Sequence, residues 1–151
     1  MIIRPATAAD LPAIDHVFRT SFCATFAHLY DPADLDSFLA GLTPEAWAAE
    51  FADPDYAFEV GEVDGEVVGY AKLGPNKLPH VAGGDVVELK QFYLLKAAHG
   101  TGLAGKLMEW VQAEARRRGA GRIALSVFSE NWRAQADRKS TRLNSSHTDI
   151  S

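Results

Sequence analysis

The stretch VVELKQFYLLKAAHGTGLAGKLMEWVQAEARRR, residues 86–118, decides the fold of this chain. Its first part, 86–95, is an apolar run rich in β-branched and aromatic residues, which predicts a strand. A short loop with two glycines follows, and then apolar residues recur at four-residue spacing, as in an amphipathic helix. These apolar positions are Leu103, Leu107, Val111 and Ala115. Gly119 is a typical left-handed residue after a helix end, so the stretch predicts a strand–loop–helix unit.

The loop between this strand and this helix has the features of an anion-binding site. Gly100 and Gly102 have no side chain that could block an approaching anion. Backbone N–H groups at a helix start have no intrahelical acceptor, and the helix dipole adds partial positive charge there. We interpret residues 99–104 as a phosphate or pyrophosphate cradle. An ordinary strand-to-helix turn is the alternative that the loop by itself leaves open.

Two well-known phosphate loops do not fit this segment. A Rossmann fingerprint needs the three glycines of G-x-G-x-x-G, which Gly100, Gly102 and Gly105 supply, and an acidic residue about 20 positions further on, which is missing. The Walker A template fits Gly100, Gly105 and Lys106, but Leu107 follows where a hydroxyl residue is needed for magnesium. Both interpretations fail.

A third pattern fits: His99-x-x-Gly102-x-Ala104 directly after a strand. It resembles the Q/R-x-x-G-x-G/A loop of the GCN5-related N-acetyltransferases (the GNAT superfamily), with His in place of the usual Gln or Arg. Downstream, Asn131 and Ala134 resemble the N-x-x-A motif of the same family. The resemblance is strong over residues 86–134 and fair over 1–85. It implies an α/β (α+β) mixed sheet of the GNAT acyl-CoA N-acyltransferase fold, with the strand 86–94 in its centre.

The resemblance also implies that the chain binds acetyl-CoA as a co-substrate and needs no metal. The pyrophosphate would bind the glycine loop, and the pantetheine would pair with residues 92–94 like an added strand. The Leu94 N–H would then point at the thioester oxygen as a modest oxyanion donor. The predicted cofactor-binding residues are Phe92, Tyr93, Leu94, His99, Gly100, Thr101, Gly102, Leu103, Ala104 and Asn131.

Glu88 is the predicted catalytic residue, because it lies where many GNAT enzymes keep a general base that often acts through water. A carboxylate in a half-buried cleft is suited to accept the proton that an attacking ammonium must lose. A strand-end charge that faces solvent is the alternative for Glu88.

The acceptor is predicted from aromatic residues near the end of the first helix. Residues 25–30 resemble a segment of the bacterial spermidine/spermine-type acetyltransferases, which implies direct attack by a primary amine of a small molecule such as a polyamine. Phe26 and Tyr30 are the predicted substrate residues, with Phe22 and Trp47 also bordering the cleft, since aromatic rings hold alkylammonium groups. Core packing is the more frequent role of such residues. An acyl-CoA-binding module without turnover and a protein N-terminal or lysine acetyltransferase remain alternative functions.

Composition sets the class of protein. The chain has 151 residues, 47% hydrophobic and 23% charged, which is ordinary for one soluble globular domain. A lone Cys23 excludes an internal disulfide, and we find no long apolar run or signal-peptide core, so we expect a cytoplasmic protein. The net charge of −5 argues against nucleic acid as a partner. No membrane partner is expected, and a homodimer is left open.

The rest of the chain carries clear local signals. Ile2 begins a short predicted strand, and Thr7 with Asp10 forms a predicted capping box before a helix. Asp31-Pro32 and Thr43-Pro44 each place an N-cap before a first-turn proline. Asp64-Gly65 joins two predicted strands as a hairpin. Residues 122–128 are predicted to form the strand after the long helix.

Residues 137–151 differ in composition from the residues before them, since they contain four serines, as many as residues 1–136 together. The segment resembles a translated sequencing-adapter read-through. The family pattern N-x-x-A-x-x-F-Y would place Phe and Tyr where the chain has Asp137 and Arg138. We therefore expect a GNAT domain at 1–136 that lacks the family's final helix, two strands and acid tyrosine, with a disordered, artefactual tail at 137–151 and an unpaired edge at 122–128. A natural disordered tail is the alternative.

Overall fold

The computed structural model describes residues 1–78, 81 and 83–125 and the backbone of 147–149. A mixed sheet with helices on both faces forms the fold, so the predicted fold class is confirmed. In chain order the elements are β1 (Ile2–Pro5), α1 (Leu11–Phe26), α2 (Pro32–Ala40), α3 (Pro44–Ala52), β2 (Ala57–Val63), β3 (Glu66–Pro75), β4 (Val86–Leu94), α4 (Leu103–Arg117), β5 (Arg122–Leu125) and β6 (His147–Asp149). Short 3₁₀ turns lie at Ala8–Asp10, Ala27–Leu29 and Lys96–Ala98.

The sheet follows the chain, with the order β1-β2-β3-β4-β5-β6. Neighbouring strands are antiparallel except β4 and β5, which are parallel. Parallel neighbours need a crossover, and α4 supplies it. The prediction that 86–94 is a central strand is confirmed, because β4 lies between β3 and β5.

The local signals form the predicted caps and turn. The Asp31 carboxylate accepts a hydrogen bond from the Ala33 N–H, and Thr43 Oγ1 accepts one from the Ala46 N–H. The hairpin turn has φ of 55° at Asp64 and 82° at Gly65, the left-handed pair that a tight two-residue hairpin requires.

Each face of the sheet has its own apolar core. On one face, α4 buries Leu103, Leu107, Val111 and Ala115 completely. On the other face, α1 buries Ile14, Val17 and Phe18 against β2 and β3. Burial of one large aliphatic side chain contributes roughly 1.5–3 kcal/mol, so both helices are held mainly by their apolar faces.

The outer strands correct one prediction and limit another. The backbone of β6 pairs with β5, so the prediction that β5 is an unpaired edge is wrong. The unpaired N–H and C=O groups of an edge strand can form hydrogen bonds with another strand, as those of β5 do with β6. Residues 126–128 of the predicted strand and all of 137–151 except 147–149 lie outside the described residues. Within the described part, no helix has both the length and the apolar character to cross a membrane.

Candidate active site

The glycine loop ends in a rigid turn at the start of α4. Gly100 has φ of 77° and Gly102 has φ of 85°, and Gly102 is the N-cap residue of the helix. L-residues with side chains rarely adopt such angles, which explains why the sequence has glycine at both positions. Thr101 Oγ1 donates to the Ala98 carbonyl at 2.5 Å and accepts from the Leu103 N–H at 3.2 Å.

The space in front of this loop is open. A Cβ atom built on Gly100 or Gly105 meets no atom within 4 Å, and one built on Gly102 meets Met1 Cε at 3.9 Å. The first N–H groups of α4 have no intrahelical acceptor. Leu103 turns its side chain into the core and its N–H donates to Thr101 Oγ1, while Ala104 is half-buried. The loop therefore fits a phosphate or pyrophosphate group.

The end of β4 directs part of its backbone away from the sheet. The Leu95 N–H donates to the Val68 carbonyl of β3 at 2.7 Å. Backbone groups of successive residues in a strand face opposite neighbours, so the Leu94 backbone faces away from β3. The Leu94 carbonyl accepts a hydrogen bond from Ser21 Oγ at 3.2 Å. In the described residues the pairing of β4 with β5 ends at Leu89.

A cavity of about 680 Å³ lies between α1 and this end of β4. It is lined by His16, Thr20, Ser21, Ala24, Thr25, Tyr93, Leu94, Leu95, Lys96, Ala97 and His99. Three of the predicted cofactor residues, Tyr93, Leu94 and His99, are thus brought together. Phe92 buries its side chain in the core under α4, so it presents its backbone at most.

Sequence reasoning missed the α1 wall of this cavity. His16, Thr20 and Ala24 are exposed and lie at four-residue spacing, opposite the buried stripe of the same helix. That spacing is a readable signal for one helix face. It says nothing about which strand end the face meets, and this is why the wall was not predicted.

Tyr93 is a neutral phenol among the residues that line the cavity. Burial, and to a lesser degree the nearby Tyr30, raises the pKa of Tyr93 to about 12. Its ring lies edge-on to Phe18 with 5.2 Å between ring centres. The phenol therefore keeps its proton at neutral pH and can donate a hydrogen bond.

Glu88 lies at the other end of β4, away from the cavity. Its Oε1 atom accepts hydrogen bonds from Lys90 Nζ and from the Lys77 N–H, both at 2.9 Å. The side chain is buried, with the residue 4% exposed, so the alternative of a solvent-facing charge is wrong. Glu88 precedes Tyr93 by five positions, which is roughly 16 Å along a strand.

A second buried charge fills an aromatic cage beside Glu88. Lys72 Nζ lies 2.7 Å from Glu50 Oε1 and 5.5 Å from the centre of the Trp47 ring. The rings of Tyr56 and Phe58 are each 5.9 Å from the same nitrogen. Burial lowers the pKa of Lys72. Trp47 is 4% exposed and does not line the cavity between α1 and β4, so that its place at the acceptor cleft stays a prediction.

Phe26 and Tyr30 belong to an aromatic cluster beside the cavity. The Phe22 ring centre is 5.0 Å from that of Phe26, 5.8 Å from that of Tyr30 and 5.2 Å from that of Phe38. Tyr30 is 46% exposed and Phe38 is 47% exposed, so the cluster has an open side. Neither Phe26 nor Tyr30 is among the residues that line the cavity.

Some predicted features lie outside the described residues, namely Asn131, Asp137 and Arg138. In residues 1–78, 81 and 83–125, no group of three or more His, Cys, Asp or Glu side chains is arranged to hold a metal.

Comparison with known proteins decides the family. The model of the Acetyltransferase (GNAT) family matches residues 17–136. The chain belongs to the GNAT family. The match includes α4, the glycine loop and every residue that lines the cavity except His16.

Relatives of this GNAT chain are named as N-acetyltransferases. It is 41% identical over 106 residues to an uncharacterized N-acetyltransferase of Mycobacterium tuberculosis (strain ATCC 25618 / H37Rv), which covers 69% of this chain and 64% of the relative. The chain thus spans less than two thirds of that relative's length. An uncharacterized N-acetyltransferase of Escherichia coli (strain K12) is 32% identical over 128 residues, 83% of this chain and 71% of the relative.

Solved structures share the fold. The PaiA N-acetyltransferase of Thermoplasma acidophilum, solved in complex with coenzyme A, gives a TM-score of 0.69 at 16% identity, over 91% of this chain and 87% of that one. A ribosomal-protein-alanine N-acetyltransferase of Brucella melitensis gives 0.60 at 26% identity, over 93% and 82%.

Proposed function

We propose that this GNAT chain is a cytoplasmic N-acetyltransferase that moves an acetyl group from acetyl-CoA to a primary amine of a small molecule. One observation carries the proposal: the loop with left-handed Gly100 and Gly102 opens α4 directly after a strand end whose Leu94 backbone faces a cavity. The loop N–H groups would hold the pyrophosphate. The Leu94 backbone would pair with the pantetheine arm.

Direct transfer of the acetyl group requires three contributions from the protein. The Leu94 N–H would donate to the thioester oxygen as the amine nitrogen attacks the carbonyl carbon. Glu88 would take the ammonium proton through a chain of water molecules, since it does not line the cavity and lies roughly 16 Å along β4 from Tyr93. As the carbon–nitrogen bond forms, the carbon–sulfur bond breaks and the thiolate needs a proton. The neutral Tyr93 phenol on the cavity wall is suited to donate a hydrogen bond there.

A polyamine is the first acceptor class. The open side of the aromatic cluster at Phe26 and Tyr30 supports it, because ring faces attract alkylammonium groups. The net charge of −5 also favours a cation. A hydroxyl-rich amine such as an amino sugar is the second candidate. The hydroxyls of Thr20, Ser21 and Thr25 on the cavity wall support it.

Two other functions stay as outcomes of the same test. The ion pair of Glu88 with Lys90 supports an acyl-CoA-binding module without turnover, because a bound carboxylate is less ready to take a proton. A protein N-terminal or lysine acetyltransferase would use the same cofactor site.

The test is CoA binding by calorimetry, followed by thiol release from acetyl-CoA in the presence of spermidine, an amino sugar or a peptide. We expect CoA binding and amine-dependent thiol release, fastest with spermidine. Binding without release for any amine identifies the binding module. Failure to bind CoA refutes the proposed function.

A further inference from the structure

Ser21 makes an unusual hydrogen bond for a serine inside a helix. Such a hydroxyl usually bonds to a carbonyl one turn earlier in its own helix or to water. Here Ser21 Oγ, near the middle of α1, donates to the Leu94 carbonyl at 3.2 Å, across 73 positions of sequence. Both residues line the same cavity, and Ser21 is half-buried.

The Leu94 carbonyl is a position where an added strand would bond. The Leu95 N–H is already paired with Val68 of β3, so Leu94 offers its N–H and C=O on the opposite side. The arm of an acyl-CoA carries secondary amides, whose N–H groups need acceptors when the arm leaves water. The Ser21 hydroxyl therefore holds an acceptor that such an arm would use.

We propose that Ser21 is a placeholder for the acyl-CoA arm. Its hydroxyl satisfies the Leu94 carbonyl while the site is empty, and it gives way when an amide N–H of the arm takes that carbonyl. This keeps the end of β4 in its open orientation between catalytic cycles and weakens acyl-CoA binding. Ser21 is thus a positioning residue, and the inference rests on the proposed function.

The size of the effect follows from the value of one hydrogen bond. A neutral bond of this kind corresponds to roughly a twofold to tenfold change in an equilibrium constant. Removal of the hydroxyl deprives the empty form of this bond and leaves the bound form unchanged. The Ser21→Ala variant should therefore bind CoA roughly twofold to tenfold more tightly than the wild type.

The experiment compares CoA dissociation constants and melting temperatures, with and without saturating CoA. Ser37→Ala is the matched control, because Ser37 is an exposed serine on α2. Both variants replace a helical serine by alanine, so the change in helix propensity is the same. We expect a lower dissociation constant and a larger CoA-induced rise in melting temperature for Ser21→Ala alone. Ser21→Thr keeps a hydroxyl and should return both values toward those of the wild type.

The results separate this inference from the proposed function. Unchanged or weaker CoA binding by Ser21→Ala, while the wild type binds CoA, overturns the placeholder and leaves the acetyltransferase proposal standing. A wild type that does not bind CoA overturns both. A purely structural role for Ser21 would lower the melting temperature equally with and without CoA.

Discussion

Toward its N-terminal end β4 is paired with β3 on one side and β5 on the other, and its acidic side chain Glu88 is buried. Lys90 and the Lys77 N–H both donate to that carboxylate. Toward its C-terminal end the same strand turns the Leu94 backbone to a cavity of about 680 Å³. We call the end of β4 at Glu88 the closed end, because its charged side chain is buried. We call the end at Leu94 the open end, because its backbone groups face the cavity.

The difference between the ends separates two tasks. Recognition of a phosphate-bearing cofactor by backbone N–H groups requires an accessible loop and glycines. Proton transfer requires a particular side chain, held at a particular place by its partners. The open end has the first set of features, and the closed end has the second.

The largest expected effect tests the closed end. Glu88→Gln keeps the shape of the side chain and removes the base, so acetyl transfer should fall on the order of 10²-fold or more. CoA affinity, which depends on the other end of the strand, should stay within about twofold. Steady-state thiol release and calorimetry measure the two values.

This variant leaves the Lys90 side chain, which is 14% exposed, without its carboxylate, and a largely buried unpaired charge is destabilising. The double variant Glu88→Gln, Lys90→Met removes the stray charge and should be equally inactive. Full activity in a folded double variant would show that Glu88 is a structural ion-pair residue.

The next largest effect tests the open end. Gly102→Glu places a side chain and a negative charge where the phosphates would bind. CoA affinity should drop at least tenfold, about 1.4 kcal/mol. Transfer measured at saturating acetyl-CoA should recover, unlike the loss caused by Glu88→Gln.

Backbone strain needs its own control at this position. Gly65 has φ of 82°, close to the 85° of Gly102, and a Cβ atom there meets nothing within 4 Å. Gly65→Glu carries the same strain and charge away from the loop and should leave CoA affinity unchanged. A loss of affinity in Gly65→Glu equal to that in Gly102→Glu would contradict the cradle.

His99→Ala should weaken CoA binding by less than about fivefold, because a single exposed polar contact is worth at most ~1 kcal/mol.

The last effect concerns stability alone and involves the buried carboxylate of Glu59. Glu59 of β2 is 5% exposed, and burial, followed by repulsion from Glu114, raises its pKa from 4.5 to about 7, while Arg4 lowers it. The folded state therefore holds this proton more tightly than the unfolded state. Its contribution is fully present below pH 4.5 and is lost as pH rises through about 7.

Glu59→Gln should accordingly raise the free energy of unfolding at pH 8 by roughly 1–3 kcal/mol and have little effect at pH 4.5. Urea unfolding of the wild type and the variant at both pH values measures this change in the free energy of unfolding. Asp10→Asn is the control of opposite sign, since hydrogen bonds from Arg4 lower the pKa of Asp10 to about 2. That variant should lose stability at pH 8, and equal shifts in both variants would contradict the raised pKa of Glu59.

Features encoded in short sequence segments were predicted well. The strand, glycine loop and helix of 86–118, the proline-marked caps and the Asp64-Gly65 turn depend on neighbours a few residues apart. The left-handed conformation of Gly100 and Gly102 belongs to this group, because it is a local property of the loop. That the loop binds an anion stays a prediction.

Local patterns did not predict the features that join distant segments, and the central place of the strand 86–94 was expected only from the family resemblance. The burial of Glu88 depends on Lys77, from the segment after β3, and on a register shift of β4 against β3 next to Lys90. The cavity wall on α1 depends on which strand end that helix crosses. The pairing of β6 with β5 and the cage around Lys72 are likewise long-range contacts. Hydrophobic period and turn chemistry contain no information on such partners.

The Leu94 backbone, which faces away from β3, has a consequence for how this site tolerates mutation. The groups it offers to a cofactor are an N–H and a carbonyl, which every residue except proline carries in full. The Leu94 side chain is buried and packs in the core under α4. The effect of a replacement on stability therefore depends on the volume and apolar character of the new side chain. Under the proposed function, cofactor binding at this point would tolerate substitution of the side chain, whereas at Glu88 a single exchange changes the chemical group itself.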